Sequence, residues 1–210
     1  MKDDCEPESV EDVLECVEEA GEADERVSVR DIVRRIGEGA FPPLMLAPAL
    51  IIVTPASAII GLSTFCGMIV ALVAFQMVIG REEPWLPAAL GKRKIDRKGL
   101  TQMAKGGRKW FGWIEAIIRP RFSVITGRRS ERVIGFFLLL FSASILTPLP
   151  MTNTVPGMAV AVTAFGLMQK DGLAVIAGVI LGTLWVGALI TGAFLGLNVI
   201  THISSALLGS

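Results

Sequence analysis

Few side chains in this sequence place polar chemistry in an apolar setting, and those few fall near breaks in long hydrophobic runs. Gln76 lies one turn before the end of an uncharged stretch. An amide there must find partners, because burying one unpaired costs roughly 2–7 kcal/mol. It is expected to pair across helices or to face a polar cavity. Thr152 and Asn153 sit between Pro150 and Pro156. Prolines remove backbone donors and leave carbonyls exposed, which suits a cation or a polar headgroup as well as a plain turn. Gln76, Thr152 and Asn153 are therefore the candidate ligand or pathway residues. Arg119, Arg121, Arg128 and Arg129 are candidates for gripping an anionic lipid phosphate, unless topology alone puts them there. Glu115, one turn before Arg119, is placed to pair with it.

Catalytic patterns do not occur. There is one His (His202) and no Tyr. No GxSxG, HExxH or Walker A arrangement is present, and Gly91-Lys92-Arg93-Lys94 lacks the glycine and hydroxyl of a phosphate loop. Glu82 and Glu83 are neighbours at a helix end and read as solvated surface. Cys5, Cys16 and Cys66 are odd in number and widely spaced, so neither a disulfide framework nor a metal site follows. No enzyme, cofactor or metal is expected.

The elements that must position these residues are set by charge. Residues 41–80, 133–169 and 172–210 contain no Asp, Glu, Lys or Arg. A chain of 210 residues has too little interior to hide so much apolar sequence. A bilayer accommodates it, because a helix closes its own backbone hydrogen bonds there. Residues 1–25 carry twelve acidic groups against one Lys, whereas residues 81–132 carry fourteen Lys and Arg against five acids. Beside membrane segments, the basic stretch marks the cytoplasmic side rather than a nucleic-acid surface. The acidic N-terminus lacks the basic start of a cleavable signal peptide, so the first apolar run is expected to stay in the protein.

The predicted organisation is an acidic tail over 1–27 and one membrane domain over 28–208. The tail is either disordered or an amphipathic helix capped by Ser9. A short helix from Ser28 carries Val29, Ile32, Val33 and Ile36 at the headgroup level. Residues 41–80 form a hairpin broken around Pro55, with legs near 41–54 and 62–79. Residues 133–169 form a second, broken at Pro148, Pro150 and Pro156. The short legs either span at a thin place or turn back within the membrane. The connector 81–132 lies on the inner surface as basic amphipathic helices, with Trp85, Trp110 and Trp113 at the interface. The segment 172–208 would be about 54 Å long as one straight helix, so a break is expected between Gly187 and Asn198. Gly178-x-x-x-Gly182 and Gly192-x-x-x-Gly196 allow close helix approach, within the bundle or in a homodimer.

The two hairpins also resemble each other. Gly67-Met68-Ile69-Val70-Ala71-Leu72-Val73-Ala74-Phe75 aligns with Gly157-Met158-Ala159-Val160-Ala161-Val162-Thr163-Ala164-Phe165, and six of nine positions are identical. Paired, interrupted hydrophobic segments point to a site between repeats in transporters; two copies of a packing unit is the plainer reading. Charge puts the feet of both hairpins on the cytoplasmic side, which favours a parallel pair about an axis along the membrane normal.

Taken together, the chain resembles the bacterial exopolysaccharide-synthesis ExoD family from about Ser28 to Leu195. The resemblance is carried by Gln76, Gly80 and Pro84-Trp85-Leu86-Pro87, then Glu115 with Arg119-Pro120-Arg121. Pro148-Leu149-Pro150, Asn153, Pro156, Gly166-Leu167 and Asp171-Gly172 complete it. The turn Thr54-Pro55-Ala56-Ser57 lacks the family's denser prolines, and Lys170 stands where Arg is usual. The resemblance implies a multi-pass inner-membrane protein associated with exopolysaccharide production, with a link to alkali tolerance and no established reaction. Transport or lipid handling of a polyprenyl-phosphate carrier, an anionic lipid or an ion is one reading. A non-catalytic scaffold acting through the tail and connector is the other. Membrane lipids are the expected partners.

Overall fold

Among the described residues, proline and glycine punctuate the chain into five long α-helices. The computed structural model describes residues 26–28, 33, 36–54, 61–87, 94–96, 127–147 and 152–208. A 3₁₀ turn, Gly37–Ala40, leads into α1 (Phe41–Val53). Prolines occupy the first turn of α1, where a missing N–H leaves nothing unpaired. α1 stops at Thr54, whose ψ of 159° is extended, as the residue before a proline prefers. α2 (Leu62–Ile79) follows, then α3 (Arg128–Leu146), α4 (Thr154–Met168) and α5 (Gly172–Leu208). Two three-residue strands, β1 (Arg26–Ser28) and β2 (Lys94–Asp96), pair antiparallel with Val27 opposite Ile95.

The helix ends come in matching pairs. Thr54 at the end of α1 donates its backbone N–H to Ile51 O at 3.2 Å, and Thr147 at the end of α3 does the same to Ser144 O at 3.2 Å. Both precede a proline. At the end of α2, Gly80 N–H reaches Met77 O and Arg81 N–H reaches Gln76 O. At the end of α4, Lys170 N–H reaches Leu167 O and Asp171 N–H reaches Gly166 O, the same pair of bonds 90 residues on. This closure needs a left-handed residue. Gly80 supplies φ 80°, and Lys170 adopts φ 50° despite its side chain.

Packing crosses between the hairpins. α1 touches α2, but the larger interfaces join α2 to α3 and α1 to α4. Two glycines permit the exchange. A Cβ on Gly67 of α2 would lie 2.7 Å from Ile145 of α3, and one on Gly157 of α4 would lie 2.6 Å from Ile52 of α1. At the opposite end of the α2–α3 pair, a Cβ on Gly135 would lie 2.9 Å from Met77. The two helices therefore run antiparallel along their length. Both turns lie at one end of the bundle and both feet at the other. α5 starts at the foot end and packs through Gly178 on Thr163 and through Gly182 on the Phe141 ring. Beyond Gly187 it passes the start of α4, and the glycines there meet nothing within 4 Å.

Cys66, Val70, Val73 and Met77 of α2 and Ile134, Leu138, Phe141 and Ile145 of α3 form the core stripes, at the spacing of one helix face. Buried Ser142 and Thr163 donate to carbonyls four residues back, at 2.6 and 2.7 Å. The outward faces are also apolar: Phe65, Met68, Phe75 and Ile79 on α2 are exposed, as are Leu184, Phe194 and Leu197 on α5. A bundle in water carries polar residues there. Among the described residues two helices, α2 and the Gly172–Asn198 part of α5, are long and apolar enough to cross a membrane. α1 and α4 have 13 and 15 residues, about 20 and 22 Å against a hydrocarbon core of about 30 Å.

Three expectations change. Ser28 ends a strand rather than starting a helix, because its backbone pairs with Lys94. Part of the connector is thus a strand, although most of 81–132, like the tail 1–25, lies outside the described residues. The expected break in the C-terminal segment does not occur: α5 is one helix of 37 residues. It contains neither proline nor an Asp, Glu, Lys or Arg, and single glycines cost a helix only about 1 kcal/mol each. α3 begins five residues before the apolar run, with Arg128, Arg129, Glu131 and Arg132 in its opening turns.

Candidate functional site

At the turn end, the first residues of α2 and α4 meet. Asn is a strong helix N-cap residue because its side-chain oxygen can accept from the next turn. Asn153 precedes α4 but makes no such cap. Its Nδ2 instead donates across the bundle to Ser63 Oγ at 3.2 Å. Asn153 Oδ1 is buried with no hydrogen-bond partner among the described residues. Two helix N-termini, each bearing partial positive charge, therefore converge on a hydroxyl and an unsatisfied acceptor. Thr152 lies beside this junction in sequence and is partly buried with a partner of its own. Pro156 is buried in the first turn of α4. On α5, Trp185 Nε1 is the other buried side-chain polar atom lacking a partner among the described residues.

At the foot end, Gln76 is 5% exposed and clamps a loop. Its Nε2 donates to Trp85 O at 3.0 Å and to Leu72 O at 3.1 Å. Its Oε1 accepts from Trp85 N–H. The side chain thus pairs with both backbone groups of one residue, as a neighbouring strand would. It joins α2 to the loop that follows it, rather than joining the two hairpins. The loop forms one wall of a cleft of about 490 Å³, with Arg81, Glu82 and Glu83 on its rim and Pro84 and Leu86 buried beneath. Arg132 lies close by: a Cβ on Gly80 would come within 2.6 Å of its guanidinium.

Asp171 is buried and caps α5, with Oδ1 accepting from Leu173 N–H at 2.9 Å and Ala174 N–H at 3.4 Å. That is a structural role. Arg128 and Arg129 open α3 at the foot end. Pro55, Pro148, Pro150, Glu115, Arg119 and Arg121 lie outside the described residues. The candidates do not form one cluster: Gln76 lies at the foot end and Asn153 at the turn end. No group of His, Cys, Asp and Glu able to hold a metal occurs among the described residues.

Sequence reasoning missed Ser63 and Trp185. Ser63 was legible: the alignment of Gly67 with Gly157, carried four residues back, pairs Ser63 with Asn153. Nothing in the spacing of Trp185 marks it.

The family model for exopolysaccharide synthesis, ExoD, matches residues 10–191. An uncharacterized protein of Synechocystis sp. is 36% identical over 125 residues, 59% of each chain. Protein ExoD of Rhizobium meliloti is 30% identical over 156 residues, 72% of this chain and 64% of the relative. The chain thus covers about three fifths of the length of the curated relatives it matches. No solved structure matches.

Proposed function

The chain belongs to the exopolysaccharide-synthesis ExoD family, and from that premise we propose that it is an integral inner-membrane protein supporting exopolysaccharide synthesis or export by transport or lipid handling, with no catalytic step of its own. The observation carrying this reading is the part-buried polar contact of Ser63 and Asn153 at the turn end, where the buried Asn153 Oδ1 has no hydrogen-bond partner among the described residues. A membrane protein that only needs to pack gains nothing from such a group.

In this reading the molecule is two copies of one hairpin about an axis along the membrane normal. The matched helix ends, the reciprocal Gly67–Ile145 and Gly157–Ile52 contacts, and the 90-residue interval between Ser63 and Asn153 support it. The feet, with residues 81–132 and the N-terminus, face the cytoplasm under the positive-inside rule. α1 and α4 are too short to span, so the hairpins are re-entrant and the junction lies within the membrane. α5 alone crosses fully, carrying the C-terminus to the outer side. Membrane lipids surround the apolar faces, and Gly192 and Gly196 are left for a second copy of the chain.

Reconstitution into vesicles tests it. Wild-type protein should raise proton flux, or the transbilayer movement of an anionic or polyprenyl-phosphate lipid, above that of empty vesicles. Asn153→Ala should remove most of the gain while the protein stays folded. Flux equal to empty vesicles for all of these would defeat the reading in favour of a scaffold.

A further inference from the structure

The foot-end cleft is not used by the function proposed above. Its place is set by the chain: the exposed apolar Ile79 ends α2, Gly80 turns the backbone, and Arg81, Glu82 and Glu83 follow at once. In a bilayer this is the step from hydrocarbon to headgroup. Trp85 is 55% exposed on the cleft wall, and indole rings favour that depth. The Gln76 clamp fixes the backbone of Trp85, so the ring's point of attachment is set before any ligand arrives. The floor is apolar, with Val33, Pro84 and Leu86 all buried. Among the described residues neither Arg81 nor Glu83 engages a side-chain partner, and both are exposed on the rim.

The charges decide what fits. Arg81, with Arg132 over the adjoining Gly80, offers guanidinium donors that match phosphate oxygens. Glu83 offers a carboxylate, and the Trp85 face attracts an ammonium. One cation and one anion on the rim of one cleft complement a ligand carrying both signs. An anionic glycerol headgroup would satisfy Arg81 and leave the Glu83 carboxylate facing negative charge. The volume of about 490 Å³ is in the range of small-molecule sites. We propose that this cleft binds the phosphoethanolamine headgroup of a membrane phospholipid, phosphate on Arg81 and ammonium between Glu83 and Trp85. The proposal rests on membrane residence but not on transport.

Native mass spectrometry of the full chain in detergent, titrated with phosphatidylethanolamine or phosphatidylglycerol, tests it. Phosphatidylethanolamine should bind about tenfold more tightly than phosphatidylglycerol, the effect of one well-made contact. Arg81→Gln, Glu83→Gln and Trp85→Ala should each abolish that preference, and Trp85→Phe should retain it. These side chains are exposed, so circular dichroism should be unchanged. Equal binding of the two lipids, or an unchanged preference in all three variants, overturns the proposal. Glycerophosphoethanolamine, which has no acyl chains, should compete only weakly. If it binds more tightly than the lipid, the ligand is a free metabolite and the proposal fails. Alkaline extraction of membranes reads membrane residence separately, so the two failures are distinguishable.

Discussion

Asn153 reaches across the bundle to Ser63, and the two stand 90 residues apart, the same interval that aligns Gly67 with Gly157. If the hairpins are two copies of one unit, as proposed, equivalent positions touch only where the axis relating them passes, and this polar contact marks it.

Stability should respond unequally to the two partners. Ser63→Ala leaves Asn153 Nδ2 unpaired as well as Oδ1, which costs about 1–3 kcal/mol. Asn153→Ala removes the orphan together with the bond and should cost less. The double variant should be no worse than Ser63→Ala, and unfolding in detergent would show that coupling.

The Gln76 clamp makes its own prediction. Gln76→Ala strands the N–H and C=O of Trp85, at about 2–3 kcal/mol. With Trp110, Trp113 and Trp185 replaced by Phe, Trp85 fluorescence should become more quenchable by acrylamide in Gln76→Ala. Unchanged quenching would mean that the loop is held by other contacts.

The matched helix ends predict opposite signs for exchange. Gly80→Ala forces a left-handed alanine, at about 1–2 kcal/mol, and crowds Arg132. Lys170→Gly relieves the same strain and should stabilise by up to about 1 kcal/mol. Thermal unfolding of the two variants checks both.

Along α5, glycine substitutions should change sign near Gly187. Alanine at Gly178 or Gly182 runs into Thr163 or Phe141, and overpacking costs about 1–3 kcal/mol. Alanine at Gly192 or Gly196 meets nothing within 4 Å and should leave monomer stability unharmed. If either instead splits a dimer on a sizing column, the upper half of α5 is the interface between copies.

Much of this was legible in the sequence. The legs 41–54 and 62–79 could be placed because Pro55 and Gly61 stop and restart the backbone, and α1 and α2 follow them closely. Thr147 before Pro148 ended α3 in the same way. What escaped were partners. The crosswise packing depends on which glycine faces which isoleucine, and hydrophobic periodicity is silent on that. Gln76 was correctly placed as an amide in need of partners, but its partner came from the following loop. Pro84 and Pro87 bracket Trp85 and Leu86 without N–H groups, leaving those two as the only backbone donors between Pro84 and Pro87. The break expected in α5 was argued from bilayer thickness alone, and no residue in the helix enforces it.

The central claim is that two like hairpins lie parallel with both feet on one side of the membrane. Single cysteines at Glu83 and Lys170, in a chain with Cys5, Cys16 and Cys66 replaced by Ser or Ala, test it most directly. Both should react with an impermeant maleimide in inside-out vesicles and be protected in right-side-out ones. Cysteines at Thr54 and Thr147 should resist it from both sides, and one at Ser210 should react only from the outside. If Glu83 and Lys170 label from opposite sides, the hairpins are inverted and the account is wrong.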